Sequence, residues 1–161
     1  MGLIYFETPY FLVYSLISKA GIHSINPAKV LEPSAGRGRI ISVLKEFNRN
    51  LSITAVENDP DNCNYLREKY PGLDLYQIDF LKINFSGYNY VIMNPPFENN
   101  LWQKHIHHAQ TFLKEGGTLV SVIPRGGSEK FPEGKSFENP AHTFVYKEQV
   151  LLTDILILRK E

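Results

Sequence analysis

Tyr90-Val91-Ile92-Met93-Asn94-Pro95-Pro96-Phe97 decides how this chain is read. The first four residues form an apolar run of the kind that makes a buried strand. The next four suit neither a core nor a helix start. Proline fixes φ and removes a backbone donor, and the residue before each proline is pushed toward extended conformations. A stiff loop therefore presents one amide, free carbonyls and one aromatic ring at the C-terminal end of a strand. In open α/β sheets, ligands bind at that end.

On either side of this stretch, apolar runs alternate with helical patterns, which indicates a mostly parallel sheet flanked by helices. A helix is expected from Pro9 to Ala20, with Thr8 as its cap, Pro9 at the first helical position and Gly21 as its stop. Strands are expected at Lys29–Glu32, Ser52–Glu57, Leu73–Gln77, Tyr88–Met93 and Thr118–Ile123. Helices fall between them at Arg39–Phe47, at Pro60–Tyr70 behind an Asn58-Asp59-Pro60 start, and at Leu101–Leu113 with Gly116-Gly117 as its stop.

Pro124 to Pro140 has no periodicity and reads as a loop of about 17 residues, a length that points to a lid or to poor order. Gly126, Gly127 and Gly134 argue against a stable helix there. Thr143–Tyr146 and Val150–Leu158 read as strands joined by a turn around Lys147-Glu148. The expected architecture is a single doubly wound α/β domain over residues 1–161, with a mostly parallel seven-stranded sheet closed by a C-terminal antiparallel hairpin. No repeat, low-complexity tract or linker interrupts it.

The chain has 161 residues, enough for one core, and is 43% hydrophobic and 21% charged. No apolar run approaches the roughly 20 residues of a membrane span. The first residues lack the charged region and cleavage site of a secretory signal. A single cysteine, Cys63, leaves no internal disulfide and suits a reducing, cytoplasmic setting. Lys+Arg and Asp+Glu both number 17, so overall charge does not drive non-specific nucleic-acid binding, although a local basic face remains open.

Leu31-Glu32-Pro33-Ser34-Ala35-Gly36-Arg37-Gly38 is a strand, a tight turn and a helix start. Gly36 and Gly38 permit close backbone approach to a ligand. The third glycine of the dinucleotide fingerprint is missing, which favours a ligand without a pyrophosphate. Glu57 ends the second strand about 20 residues later, where an acid either accepts from ribose hydroxyls or caps the helix with Asn58 and Asp59. Asp79-Phe80 suits an adenine ring, with the carboxylate accepting from the exocyclic amine and the ring packing on a face. A surface turn with a core aromatic is the alternative.

Asn94 to Phe97 suit chemistry on an aromatic exocyclic amine, whose lone pair is delocalised into its ring. The Asn94 side-chain oxygen and the Pro95 carbonyl can hold its two hydrogens, pull the nitrogen toward tetrahedral geometry and stabilise developing positive charge. Pro96 stiffens the loop, and Phe97 can stack on the base and align it. No strong general base is needed before transfer.

Taken together, these motifs resemble class I S-adenosylmethionine-dependent methyltransferases, in the amino-methylating branch with an Asn-Pro-Pro-Phe/Tyr signature. Their order is similar to that of N6-adenine enzymes in which the cofactor motifs come first. The run from Val91 to Asn99, followed by His105 to Leu113 and Gly116-Gly117, resembles small stand-alone methyltransferases of plasmids and phages. The resemblance implies S-adenosyl-L-methionine as cofactor. It is implied to be held by Thr8, Pro9, Glu32, Pro33, Ser34, Ala35, Gly36, Gly38, Glu57, Asn58, Asp79 and Phe80, with Asn94, Pro95, Pro96 and Phe97 catalytic. It implies adenine N6 in DNA, rather than RNA, as the target. Adenine in RNA, glutamine amides in a protein and an inactive binding module are the alternatives.

No separate target-recognition domain is expected in the chain, so recognition falls to the minimal domain or to a separate subunit. His105 and His108 share a helix face, but no Cys or acidic triad completes a metal site, and no metal is expected. Cys63 lies on a helix rather than in a catalytic loop, which argues against C5-cytosine chemistry. Arg37, Arg39, Arg125, Lys130 and Lys135 fall beside loops at the expected active edge, as phosphate contacts or as scattered surface charge.

Overall fold

The computed structural model describes residues 7–139, 144–146 and 149–161. In chain order the elements are α1 (Tyr10–Ala20), β1 (Ala28–Glu32), α2 (Arg39–Phe47), β2 (Leu51–Glu57), α3 (Pro60–Lys69), β3 (Asp74–Gln77), β4 (Tyr88–Met93), α4 (Leu101–Gln110), β5 (Leu113–Pro124), β6 (Lys135–Glu138), β7 (Phe144–Tyr146), β8 (Gln149–Leu151) and β9 (Thr153–Arg159). Seven strands form one sheet in the order β3-β2-β1-β4-β5-β9-β6. The first five are parallel, and β9 runs antiparallel to both β5 and β6.

Alternation within each strand divides the core in two. Val30 of β1 and Ile92 of β4 face α1 and α2, with Leu12, Leu16, Ile41 and Leu44. Their neighbours Leu31, Val91 and Met93 face α4, with Trp102, Ile106 and Phe112. A parallel sheet covered on both faces needs this double-sided burial, which is why its strands read as continuous apolar runs. The strand order turns around between β1 and β4. That reversal opens a crevice at the carboxyl ends of these two strands, where Glu32–Gly38 and Asn94–Phe97 emerge.

Four expectations about the elements are corrected. Thr8 does not cap α1: Pro9 is the N-cap, without a side-chain cap bond, and its carbonyl accepts from the Leu12 and Val13 N–H groups. Helix α4 stops at Gln110 rather than Leu113, and Gly116-Gly117 lies inside β5 beside a register shift against β4. Gly117 is required there because a Cβ would sit 2.8 Å from the Lys114 carbonyl oxygen.

The third correction concerns the stretch expected to be one loop from Pro124. It contains a 3-10 turn, Gly127–Lys130, and the edge strand β6. Arg125 organises it, pairing with Asp154 at 2.6 Å and donating to the carbonyl oxygens of Asn139 and Thr153. All four residues of β6 are exposed, so no hydrophobic alternation marks the strand in the sequence. Lys135 and Glu138 leave the outer edge charged, which discourages further pairing.

The fourth concerns how the last strands are divided, since the seven-stranded, mostly parallel sheet with an antiparallel C-terminal pair is as expected. β7 and β8 pair with each other as a separate two-stranded sheet, whereas β9 joins the main sheet with β6 as its antiparallel partner. The expected run Val150–Leu158 is thus two strands broken at Leu152. Thr143 and the Lys147-Glu148 turn lie outside the described residues. No helix among the described residues is long and apolar enough to cross a membrane.

Candidate active site

A cavity of about 1060 Å³ opens at the crevice between β1 and β4. That is at the upper end of the roughly 300–1,000 Å³ typical of small-molecule sites. Of the residues expected to form the site, Thr8, Pro33, Ser34, Ala35, Glu57, Asn58, Asp79, Phe80 and all of Asn94–Phe97 line it. Pro9, Glu32, Gly36 and Gly38 are not among the lining residues and stand behind the wall.

The turn after β1 is held by both ends of the ligand-binding edge. The Gly36 N–H donates to Glu57 Oε2 at 2.6 Å, and the Ala35 N–H donates to the Val56 carbonyl at 3.0 Å. Gly36 and Gly38 both have positive φ, 53° and 81°, which glycine adopts without strain. At Gly38 a Cβ would also lie 2.7 Å from Leu66 Cδ2, so the absent side chain brings α2 against α3.

Glu57 serves as both a cap and a cavity acid. Its Oε1 accepts from the N–H groups of Asn58 and Asp59, each at 2.8 Å. With the Gly36 bond, three backbone donors fix the carboxylate, and a lone pair on Oε2 remains for a ligand hydroxyl. Asp59 in turn caps α3 by accepting from the Asn62 N–H at 2.9 Å. Buried Cys63 lies beneath, its thiol donating to the Glu57 carbonyl at 3.4 Å, and burial pushes that thiol's pKa up. It is a packing residue.

Glu32 is 1% exposed. Oε1 accepts from the Ser34 N–H at 3.1 Å, whereas Oε2 has no partner. Burial raises its pKa well above the ordinary carboxyl value, the Ser34 bond opposes this, and the nearby Glu57 charge adds to it. The Ser34 hydroxyl is also buried and unpartnered, on the cavity wall. Unsatisfied polar atoms of this kind suit a ligand with cationic and hydroxyl groups.

Asp79 follows β3 and caps a 3-10 turn, Phe80–Lys82, by accepting from the Leu81 N–H at 3.0 Å. Phe80 reaches the cavity but is only 2% exposed. Its ring packs at 4.9 Å from His108 and 5.2 Å from Phe112, forming a floor tied into the core. His108 is fixed by its Nε2 contact with the Ile83 carbonyl at 2.8 Å.

Also at the cavity, Asn94 Nδ2 donates to the Thr8 hydroxyl at 3.1 Å. Thr8 is 5% exposed, so this bond is sheltered from water. It fixes the amide plane and assigns Oδ1 the acceptor role. Phe97 is partly buried between the two core clusters and lines the cavity.

Sequence reasoning missed several lining residues. Phe144 and Leu151, paired across β7 and β8, reach the wall from far along the chain. Leu101 and His105, four apart on α4, also line it. Their i,i+4 spacing downstream of Phe97 was the available signal. Arg37 and Arg39, which the sequence places beside the active edge, do line the cavity, Arg39 pairing with Glu7 at 2.5 Å and lying over the Tyr10 ring. Arg125 is engaged with Asp154 and is not among the residues lining the cavity, and Lys130 and Lys135 are exposed.

Sheet order, an antiparallel β9 and a ligand crevice at β1 and β4 define a Rossmann-like methyltransferase domain. The chain belongs to the methyltransferase small domain family, which matches residues 12–139. It is 29% identical over 148 residues to the modification methylase CviBIII of Paramecium bursaria Chlorella virus NC1A, covering 79% of this chain and 37% of that protein. The chain therefore spans just over a third of that relative's length.

Among solved structures, TrmN from Thermus thermophilus superposes with a TM-score of 0.71 at 18% identity, over 94% of this chain and 49% of that one. The Thermus thermophilus 16S rRNA N2 methyltransferase RsmC, in complex with AdoMet and guanosine, gives 0.68 at 16% identity, over 98% and 44%. At these identities the likeness is one of fold. The cofactor is S-adenosylmethionine, and the orphaned oxygens of Glu32 and Ser34 and the fixed Glu57 carboxylate suit its ammonium and hydroxyl groups.

Proposed function

We propose that this domain methylates an exocyclic amine, with N6 of adenine in DNA as the target. The observation that carries the reading is the Asn94–Thr8 hydrogen bond. It orients the Asn94 carbonyl in the same cavity as Glu57 and Asp79. Asn94 Oδ1 and the Pro95 carbonyl accept the two amine hydrogens, concentrating the lone pair on nitrogen and stabilising positive charge there. Phe97 stacks on the base and holds it in line.

Glu57 binds ribose hydroxyls through its Oε2 lone pair, Asp79 accepts from the cofactor's adenine amine, and the Ser34 to Gly38 turn with Glu32 holds the methionine end. When bound, S-adenosylmethionine supplies a methyl group activated by its sulfonium. A target in a duplex must be flipped out to enter the cavity.

DNA is favoured by the similarity to a viral modification methylase. Adenine in RNA is the second reading; the overlay on RsmC, a 16S rRNA N2 G1207 methyltransferase, supports an RNA substrate but with guanine as the base. Recognition of the surrounding sequence draws on surfaces outside this cavity. Incubation with labelled cofactor and, separately, duplex DNA, RNA and protein extract tests the proposal. Label confined to DNA is expected. Label confined to RNA or protein overturns the DNA assignment, and label that survives Asn94→Ala overturns the mechanism.

A further inference from the structure

His105 is used by neither the catalytic loop nor the expected cofactor residues, yet it lines the cavity. It lies one turn into α4, four residues after Leu101 on the same helix face. The residue is 8% exposed, and its Nδ1 is buried without a hydrogen-bond partner. Its ring packs 5.4 Å from that of Phe80, and the Asp79 charge acts on it directly. Burial, with a smaller contribution from His108 and against the pull of Asp79, lowers its pKa to about 4. The imidazole is therefore neutral at physiological pH and offers one donor and one acceptor.

A merely packed side chain at this position would be better served by leucine or phenylalanine, which bury no unpaired nitrogen. The pairing of groups is also informative. A carboxylate acceptor stands beside a neutral imidazole donor, and adenine presents the complement, an amine donor flanked by a ring-nitrogen acceptor. We propose that His105 is a specificity residue for the adenine held against Asp79, donating a hydrogen bond to the ring nitrogen that flanks the exocyclic amine. This rests on the reading that the Asp79 end of the cavity holds the adenine of the cofactor. It adds a second polar contact to that base, from α4 rather than from the loop after β3.

A chemical double-mutant cycle isolates the contact. S-adenosylhomocysteine and its 1-deaza and 7-deaza analogues, in which CH replaces one flanking nitrogen, are titrated calorimetrically into the wild-type chain and into His105→Leu. One analogue is expected to bind the wild-type chain about 10-fold more weakly than the parent, the loss of one hydrogen bond. The same change should alter affinity for His105→Leu less than about 2-fold, because the partner is already gone. His105→Gln, which keeps a donor, should restore most of the penalty.

Equal penalties in wild type and His105→Leu for both analogues overturn the proposal while leaving the cofactor site intact. No binding of the parent ligand to the wild-type chain overturns the cofactor reading and the proposal with it. Circular dichroism checks the fold of His105→Leu, and His105→Met takes its place in the cycle if it is unfolded.

Discussion

The Asn94 side-chain amide donates to the hydroxyl of Thr8 across 86 positions of sequence, joining the loop after β4 to the residue that precedes α1. The bond links the segment before the first helix to the proposed chemistry. Thr8→Val removes the acceptor while keeping the shape. One hydrogen bond of about 0.5–1.5 kcal/mol corresponds to a rate loss of about 2- to 12-fold. We expect that loss in kcat, with cofactor affinity changed less than about 2-fold. Thr8→Ser should recover the rate. Single-turnover kinetics with isothermal titration separates the two quantities, and equal losses in both would assign Thr8 to the cofactor instead.

Glu57 gathers three backbone N–H groups from two different loops. Replacing it by alanine frees the Gly36 turn and removes the ribose acceptor together. Charge-assisted hydrogen bonds are worth about 1.5–3 kcal/mol each, so cofactor affinity should fall by at least about 10-fold. Glu57→Gln, which retains acceptors on one side only, should fall between. Titration of S-adenosylhomocysteine measures this, and unchanged affinity in Glu57→Ala would remove Glu57 from the site.

Two buried groups give cofactor-free stability an opposed pH dependence. His105, with Asp79 and His108 as its charged neighbours, titrates at about 4 in the folded chain against 6.5 for the free side chain. The unfolded chain binds the extra proton between these values, so stability is complete above pH 6.5 and falls toward pH 4, by up to about 3 kcal/mol. Glu32, beside Glu57, has the reverse sign. Its raised pKa means the folded chain holds the proton longer, so stability falls as pH rises above the ordinary carboxyl value of 4.5. Glu32→Gln should therefore melt higher than wild type at pH 8, with the gap closing by pH 4. Melts of wild type, Glu32→Gln and His105→Leu across pH 4–8 check both signs.

Arg125 should behave as a structural residue. Asp154, its partner at 2.6 Å, is only 5% exposed and also accepts from the Gly126 N–H at 2.9 Å. Arg125→Leu strands that carboxylate and should destabilise by on the order of 2 kcal/mol, less than a fully buried pair because the arginine is partly exposed. Urea unfolding measures it. A nucleic-acid affinity that drops at unchanged stability would return Arg125 to the phosphate-contact role.

Much of this was legible in the sequence, for identifiable reasons. Val30-Leu31, Ile53–Val56 and Val91–Met93 are buried on both faces, so they read as apolar runs whatever their neighbours. Strand β6 was not legible because its four residues are all exposed and its identity comes from pairing with β9. Thr8 was legible as a site residue, but its bond to Asn94 was not. A threonine before proline signals a helix cap, and only the folded chain shows its hydroxyl turned to Asn94. Phe144 and Leu151 had no local signal, because their place on the cavity wall follows from the return of the chain after β6. His105 carries a usable signal in its spacing from Leu101, but a histidine pair on a helix face points first to a metal site and gives no hint of a neutral, buried imidazole.

The atom that receives the methyl group decides between the proposed chemistry and its rivals. Mass spectrometry of nucleosides, after reaction of the wild-type chain with mixed DNA and RNA in the presence of labelled cofactor, addresses it directly. Labelled N6-methyldeoxyadenosine, absent with Asn94→Ala and Phe97→Ala, is the expected product. Label on cytosine C5, on a hydroxyl or on a ring carbon, or N6-methyldeoxyadenosine that persists in Asn94→Ala, would contradict the account.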